Sequence, residues 1–119
     1  MINTQSQLEL LDRIFNEARR HYSEARLVRA LRLHSIPEHM HEGVIAYIRD
    51  GRYTGDFLSA VLSNDLREAV SRADSENRLA LAHYVDFFYN NAPGACWGSA
   101  ERMIEWLEAG QRFRAKEHV

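Results

Sequence analysis

Apolar side chains recur at helical spacing along most of this 119-residue sequence. Between residues 5 and 33 they lie alternately three and four positions apart, which is typical of one long amphipathic helix. They are Leu8, Leu11, Phe15, Ala18, Tyr22 and Ala25. Thr4 or Asn3 is suited to cap the start of this helix. Because no segment alternates apolar and polar residues as a half-buried strand does, the sequence predicts an all-α fold.

Five shorter helices are predicted after the first one. Ser35 and Glu38 have the spacing of a capping box, and Gly51 is suited to a left-handed stop, so one helix is predicted from residue 35 to about 50. The others are predicted at 55–63, 65–73, 75–90 and 99–110, the last with Ser99 as its cap. We therefore expect a compact bundle of five or six helices with a long N-terminal amphipathic helix.

Three parts of the chain are predicted from this pattern. They are an N-terminal amphipathic helix over 1–34, a compact helical domain over 35–110 and a flexible tail over 111–119. The apolar face of the first helix must be covered either by its own chain or by a second copy. The sequence leaves both options open, and we expect a homodimer through the first helix.

Composition limits where the protein works and what it binds. Cys96 is the only cysteine, which excludes an internal disulfide, and residues 1–30 carry charges throughout, so they are not a secretory signal. We expect a cytoplasmic protein that does not bind a membrane. Residues 36–110 hold six Arg and twelve Asp or Glu, a net charge of −6, between two mildly basic ends. Such a middle repels nucleic acid and suits a basic protein partner better.

Few residues have the spacing that catalysis or metal binding requires. Gly94-Ala95-Cys96-Trp97 resembles the nucleophile segment of papain-like proteases, but only 23 residues follow Cys96, too few to supply the partner His and Asn. His39 and His41 are two positions apart and point to different sides of a helix. A helix-turn-helix reading of residues 65–90 offers Arg78 and His83 on its second helix but also Asp86 and several large aromatics, whereas a helix that reads a DNA groove needs several exposed donors in a basic setting. The sequence predicts no catalytic residue, no metal and no cofactor.

Four arginines and two aromatic residues are the candidate partner-binding residues. Arg19, Arg26, Arg29 and Arg32 have no acidic residue three or four positions away, and the last three follow one another at i+3 steps. Arg26, Arg29 and Arg32 form a positive stripe suited to carboxylates or phosphates, although a solvated helix face is the plainer interpretation. Residues 84–89 contain four aromatics, more than one helix face holds, so we expect Tyr89, with Trp97, at a surface.

A resemblance to a known family is carried by a set of residues between 36 and 107. Its most specific part is Gly55-Asp56-Phe57-Leu58 followed by Leu62-Ser63-Asn64-Asp65-Leu66, and it also includes Ile36-Pro37, Gly43, Tyr47, Gly51, Ala73-Asp74, Asn77, Pro93 and Trp97-Gly98-Ser99. This set resembles a family of short proteins encoded by bacteriophages and prophages of proteobacteria. The family has no established activity that the resemblance could assign to this chain. The resemblance implies an accessory role in the infected cell, such as binding a host protein.

Two functions agree with these observations. The first is a non-enzymatic, phage-encoded protein that binds a host or phage protein in the host cytoplasm and inhibits a defence or transcription complex. The alternative is a nucleic-acid-binding protein that uses the arginines of the first helix and the basic tail, Arg112, Arg114 and Lys116.

Overall fold

The chain folds into helices joined by short turns. A computed structural model describes residues 4–117, and it contains eight α-helices: α1 (Gln5–His21), α2 (Glu24–Leu33), α3 (His41–Asp50), α4 (Asp56–Leu62), α5 (Leu66–Arg72), α6 (Ser75–Leu79), α7 (Leu81–Asn91) and α8 (Ala100–Glu117). Single 3-10 turns lie at Glu38–Met40 and Gly94–Cys96. The described residues hold no strand, which confirms the all-α prediction, and none of their helices has the length and apolar composition to cross a bilayer.

The long first helix predicted over 5–33 is two helices. Thr4 and Gln7 form a capping box at the start of α1, as the prediction for Thr4 required; Asn3 lies outside the described residues. The helix stops at Tyr22, and Ser23 begins α2 by accepting a hydrogen bond from the Arg26 amide at 3.2 Å. Because a serine at this position offers its own cap, the apolar spacing of residues 5–33 does not require a continuous helix.

Ser35 ends a helix instead of beginning one. Its φ of 57° is left-handed, and the Ile36 amide donates back to the carbonyl of Leu31 at 3.0 Å, which closes the end of α2. The capping box predicted with Glu38 is therefore absent, and α3 begins at His41 after a 3-10 turn. The predicted left-handed stop at Gly51 is confirmed by its φ of 63°.

The predicted helix over 75–90 is also divided. Ala80 leaves the helical conformation between α6 and α7, and the hydroxyl of Tyr84 crosses the break to donate to Oδ1 of Asn77 at 2.6 Å. Both of these polar side chains are buried, so each provides the hydrogen bond that the other needs.

The last helix is longer than predicted, because Gly110 does not stop it. Ser99 caps α8 as predicted, with its Oγ accepting from the Arg102 amide at 3.1 Å, but the helix continues to Glu117. Gly110 instead lies against Gly51: a Cβ on Gly110 would be 2.6 Å from the Gly51 Cα and 2.4 Å from the Asp50 carbonyl oxygen. Residues 111–117, predicted to be a flexible tail, therefore form the last two turns of α8.

The C-terminal ends of α1 and α3 are joined by arginines. Arg19 and Arg114 donate to the carbonyls of Arg49 and Asp50, respectively, at the end of α3. In the opposite direction, Arg49 donates to the carbonyls of Arg19 and Tyr22 at the end of α1, both at 2.7 Å. Helix ends leave carbonyls without partners and carry partial negative charge, so guanidinium groups satisfy and neutralise both ends.

One hydrophobic core is shared by the first two of the three parts that the sequence distinguished, and Phe113 of the third packs against it. It contains Phe15 of α1, Leu31 of α2, Tyr47 of α3 and Trp106 of α8, and the Phe15 and Trp106 ring centres are 4.8 Å apart. The face of α1 that was expected to pair with a second copy thus packs against α8 of its own chain. A homodimer stays a prediction, but it loses the uncovered helix face that motivated it.

Replacing Gly110 with Ala tests the close approach of α3 and α8. In an unhindered helix interior this change stabilises by about 1 kcal/mol, whereas a clash with packed backbone typically costs about 1–3 kcal/mol. We expect Gly110→Ala to lower the free energy of unfolding in urea, followed by circular dichroism. Gly94→Ala is the control, because its Cβ would meet no atom within 4 Å. A Gly110→Ala protein as stable as the wild type would contradict the close contact.

Asp74 predicts a pH dependence of stability. A hydrogen bond from the Asn77 amide (2.8 Å) and then one from His39 (2.9 Å) hold the pKa of Asp74 below its ordinary value of 3.8. A lowered folded-state pKa contributes stability above the ordinary value, and that stability is lost as the pH falls through the lowered one. Asp74→Asn keeps a capping group but removes the charge. We expect it to be less stable than the wild type at about pH 6, with the difference shrinking as the pH falls below about 4.

Asp86→Asn is the control for this series, because Asp86 is exposed and its carboxylate accepts no hydrogen bond within residues 4–117. A stability difference for Asp74→Asn that stays constant from about pH 6 to about pH 3 would show that the carboxylate charge plays no part.

Candidate functional site

Arg19, the first of the candidate partner-binding residues, joins α1 to the end of α3. Its guanidinium donates to the Arg49 carbonyl and to Oδ1 of Asp50, and its Cζ lies 4.3 Å from the ring centre of Phe113. Only 24% of its side chain is exposed. Arg19 has no acidic residue at helical spacing, but it pairs with Asp50, 31 residues away. Helical spacing reveals only local acids.

The other three arginines lie together on the outer face of α2. Arg32 is 3.6 Å from Glu38 in an exposed ion pair, and Arg26 donates to the His21 carbonyl at 3.4 Å. Arg29 is exposed and makes no salt bridge within residues 4–117. Arg29 and Arg32 line a shallow depression with Val28 and Glu24. The three arginines of the predicted stripe thus share one exposed face of α2, where Glu38 partly neutralises their charge.

The basic tail is also largely used within the molecule. Nε of Arg112 donates to Oδ1 of Asp12 at 2.9 Å, and Arg114 donates to the Asp50 carbonyl. Lys116 lies 3.9 Å from Oδ2 of Asp12. The tail therefore provides few free positive charges for a nucleic acid.

The residues with reactive side chains are separated from one another. Cys96 is fully buried, and burial raises the pKa of its thiol far above its usual range, which disfavours the nucleophilic thiolate. His39 pairs with Asp74, while Nε2 of His41 lies 2.8 Å from the Ile36 carbonyl oxygen. Within residues 4–117, no three His, Cys, Asp or Glu side chains are grouped so that they could hold a metal ion.

An open apolar groove runs between the α4–α5 pair and α7. It has a volume of about 270 Å³. Buried Ala60, Val61 and Ala69 form its floor, and its sides are Leu66 of α5 together with Leu81 and Val85 of α7. Leu66 is 69% exposed and Val85 52% exposed. We call this feature the apolar groove.

An aromatic pocket of about 510 Å³ continues the apolar groove. The two share Val61, Asn64 and Val85, and the pocket adds Tyr89, Trp97 and Arg102. Trp97 packs against the buried Phe88 with ring centres 5.8 Å apart, whereas Tyr89 is 78% exposed. The structure therefore brings Tyr89 and Trp97 together, and it places them in a different depression from the arginines of α2.

Several residues of this surface were missed by the sequence analysis. Leu66 and Val85 fall within the helices predicted over 65–73 and 75–90, but neither was identified as exposed from the sequence. For Leu66 the signal that could have found it is length, because α5 has only seven residues, too few to bury an apolar residue at every turn. Crowding of four aromatics in residues 84–89 did predict an exposed ring, and Tyr89 is that ring.

The residues that carry the family resemblance mostly determine backbone shape. Gly51, Gly55 and Gly98 have positive φ, as does Asn64, and Asp65, Asp74 and Ser99 begin helices. Asn64 and Asp65 also line the apolar groove. Compared with protein-family models, with curated proteins and with solved structures, the sequence matches none. The resemblance to phage and prophage proteins therefore stays a prediction.

Substituting two of the candidate partner-binding arginines separates their roles. Arg19→Met keeps the aliphatic stem but removes the donors to the end of α3, so we expect a loss of about 1–3 kcal/mol in the free energy of unfolding. Arg29→Met removes an exposed charge and should change stability by less than about 0.5 kcal/mol. Urea unfolding of both variants measures the difference. Equal stabilities would mean that Arg19 does not hold α1 to α3.

Proposed function

We propose that this protein is not an enzyme and acts by binding another protein through the apolar groove and the aromatic pocket. The observation that carries the proposal is the continuous exposure of large apolar side chains along one surface, at Leu66, Val85 and Tyr89. Exposed apolar side chains grouped around a concave surface are typical of protein-binding sites.

The shape of the apolar groove supports a protein partner. Its floor consists of Ala60, Ala69 and the buried Val61, whose small side chains allow the backbone of a partner to approach closely. Tyr89 and Trp97 add aromatic surface next to Arg102, and aromatic residues and arginine are the types most often found at binding hot spots. Among the residues that line the apolar groove, only Asn64 and Asp65 have polar side chains that could orient a small substrate.

The non-enzymatic part of the proposal is supported by the positions of the reactive residues. Cys96 is buried with its thiol protonated, and His39 is engaged with Asp74 at the start of α6. Neither lies at the apolar groove or the aromatic pocket.

The biological setting comes from the resemblance to phage and prophage proteins. On that basis we place the protein in the cytoplasm of an infected cell, where it binds a host protein and inhibits a defence or transcription complex. This setting extends the binding proposal and depends on the resemblance alone.

Placing a charge in the apolar groove should abolish partner binding. We expect Val85→Glu to lose every protein retained specifically by the immobilised wild-type chain, because a carboxylate would have to be buried against apolar surface. Ile104→Glu is a matched control: Ile104 is also β-branched, helical and half-exposed, at 50%, and it lies on α8 outside the groove. Quantitative pull-downs from infected cells measure retention.

Circular dichroism of both variants accompanies the pull-downs to verify that each is folded. Retention by Val85→Glu at the wild-type level, or an equal loss with Ile104→Glu, would rule out the apolar groove as the binding surface.

A further inference from the structure

A cluster of carboxylates borders the apolar groove on the side of α4 and α5. Asp56, Asp65 and Glu68 line a cleft of about 280 Å³, which shares Ala60 and Asp65 with the apolar groove. We call it the acidic cleft. An occupant of the apolar groove therefore lies within reach of these carboxylates.

The carboxylates of the acidic cleft exceed the positive charge beside them. Arg72 is the one basic side chain lining the cleft; its Nε lies 2.8 Å from Glu68, and its Nη1 lies 3.7 Å from Asp56. Asp65 uses Oδ1 to cap the Glu68 amide at 3.2 Å. Three carboxylates against one guanidinium leave a local charge of −2. The acidic cleft therefore attracts positively charged groups.

The apolar side of the groove has the periodicity of a helix. Ala82, Val85 and Tyr89 follow one another at three and four residues along α7, so they form a stripe about 10 Å long at 1.5 Å per residue. A stripe of this length matches about two turns of a partner helix laid against it, with apolar side chains at i, i+3 or i+4, and i+7.

We infer that the partner presents a basic amphipathic helix. Its apolar face occupies the groove between Leu66 and Val85, and Lys or Arg side chains on its edge reach Asp65 and Glu68. The inference rests on the proposed function, since it identifies the occupant of the same groove from the charge at its border.

Selection of displayed peptides tests this inference without knowledge of the natural partner. The probe is a library of helix-forming peptides of about 16 residues, long enough to be helical when bound, with all surface positions randomised. Peptides are selected on the intact wild-type chain, and those that also bind Val85→Glu are discarded. We expect the remaining peptides to be enriched in Lys and Arg at the edge of an apolar face.

Charge removal in the acidic cleft provides the second measurement. For a selected peptide, we expect the double variant Asp65→Asn/Glu68→Gln to weaken binding about fivefold, because two exposed ion pairs are lost. The Asn keeps the helix cap. The control, Glu101→Gln/Glu108→Gln, removes the same charge from exposed positions on α8 and should leave affinity unchanged.

The outcomes separate this inference from the proposed function. If no peptide is selected, or if every selected peptide also binds Val85→Glu, the helical occupant is overturned, whereas the proposed function is decided separately by the pull-downs. Groove-dependent peptides without an excess of basic residues, or with equal affinity for the two double variants, would overturn only the basic partner. A dimer of the free chain in light scattering that Val85→Glu dissociates would assign the groove to a second copy and would also overturn the inference.

Discussion

The crossing of α3 and α8 at Gly51 and Gly110 controls the rest of the architecture. A Cβ on either residue would come within 3 Å of backbone atoms on the other helix, so only glycine permits this approach. At this distance Trp106 donates to the Tyr47 carbonyl at 3.0 Å, and Arg114 reaches the end of α3. The same crossing sets α8 where Phe15 of α1 can pack against it. A small change in this spacing would therefore alter the core and the helix ends together.

Several features that depend on interactions between residues close in the sequence were predicted correctly. The helical class, the start of α1 at Thr4, the left-handed Gly51 and the cap of α8 at Ser99 all depend on residues within one turn of each other. Two of the errors originate in distant contacts. By its sequence position Gly110 is suited to end a helix, but in the structure it packs against Gly51. Arg19 has no local acidic partner in the sequence, but in the structure it pairs with Asp50. Helical spacing carries no information about either neighbour.

In the candidate site, too, local features were predicted from the sequence and distant contacts were not. Crowding of aromatics predicted an exposed Tyr89, but the grouping of Leu66 with Val85 required the packing of α5 against α4 and α7 to be known. Short helices connected by tight turns leave apolar side chains on their outer faces, because each turn redirects the chain before the amphipathic pattern can repeat. The apolar groove is thus a result of the segmented path between α4 and α7, of which the prediction separated α4 from α5 but joined α6 and α7 in one helix over 75–90.

The pairing of the two chain ends affects how the protein forms during translation. Asp12 lies in the first helix and its partner Arg112 in the last, 100 residues later, and Phe15 packs against Phe113. Chains are made from the N-terminus, so α1 leaves the ribosome long before the side chains that hold it exist. Until α8 has been made, the apolar face of α1 lacks the side chains that cover it in the folded protein. The molecule therefore reaches its native arrangement only after α8 has been made, and until then the apolar face of α1 is open to other contacts.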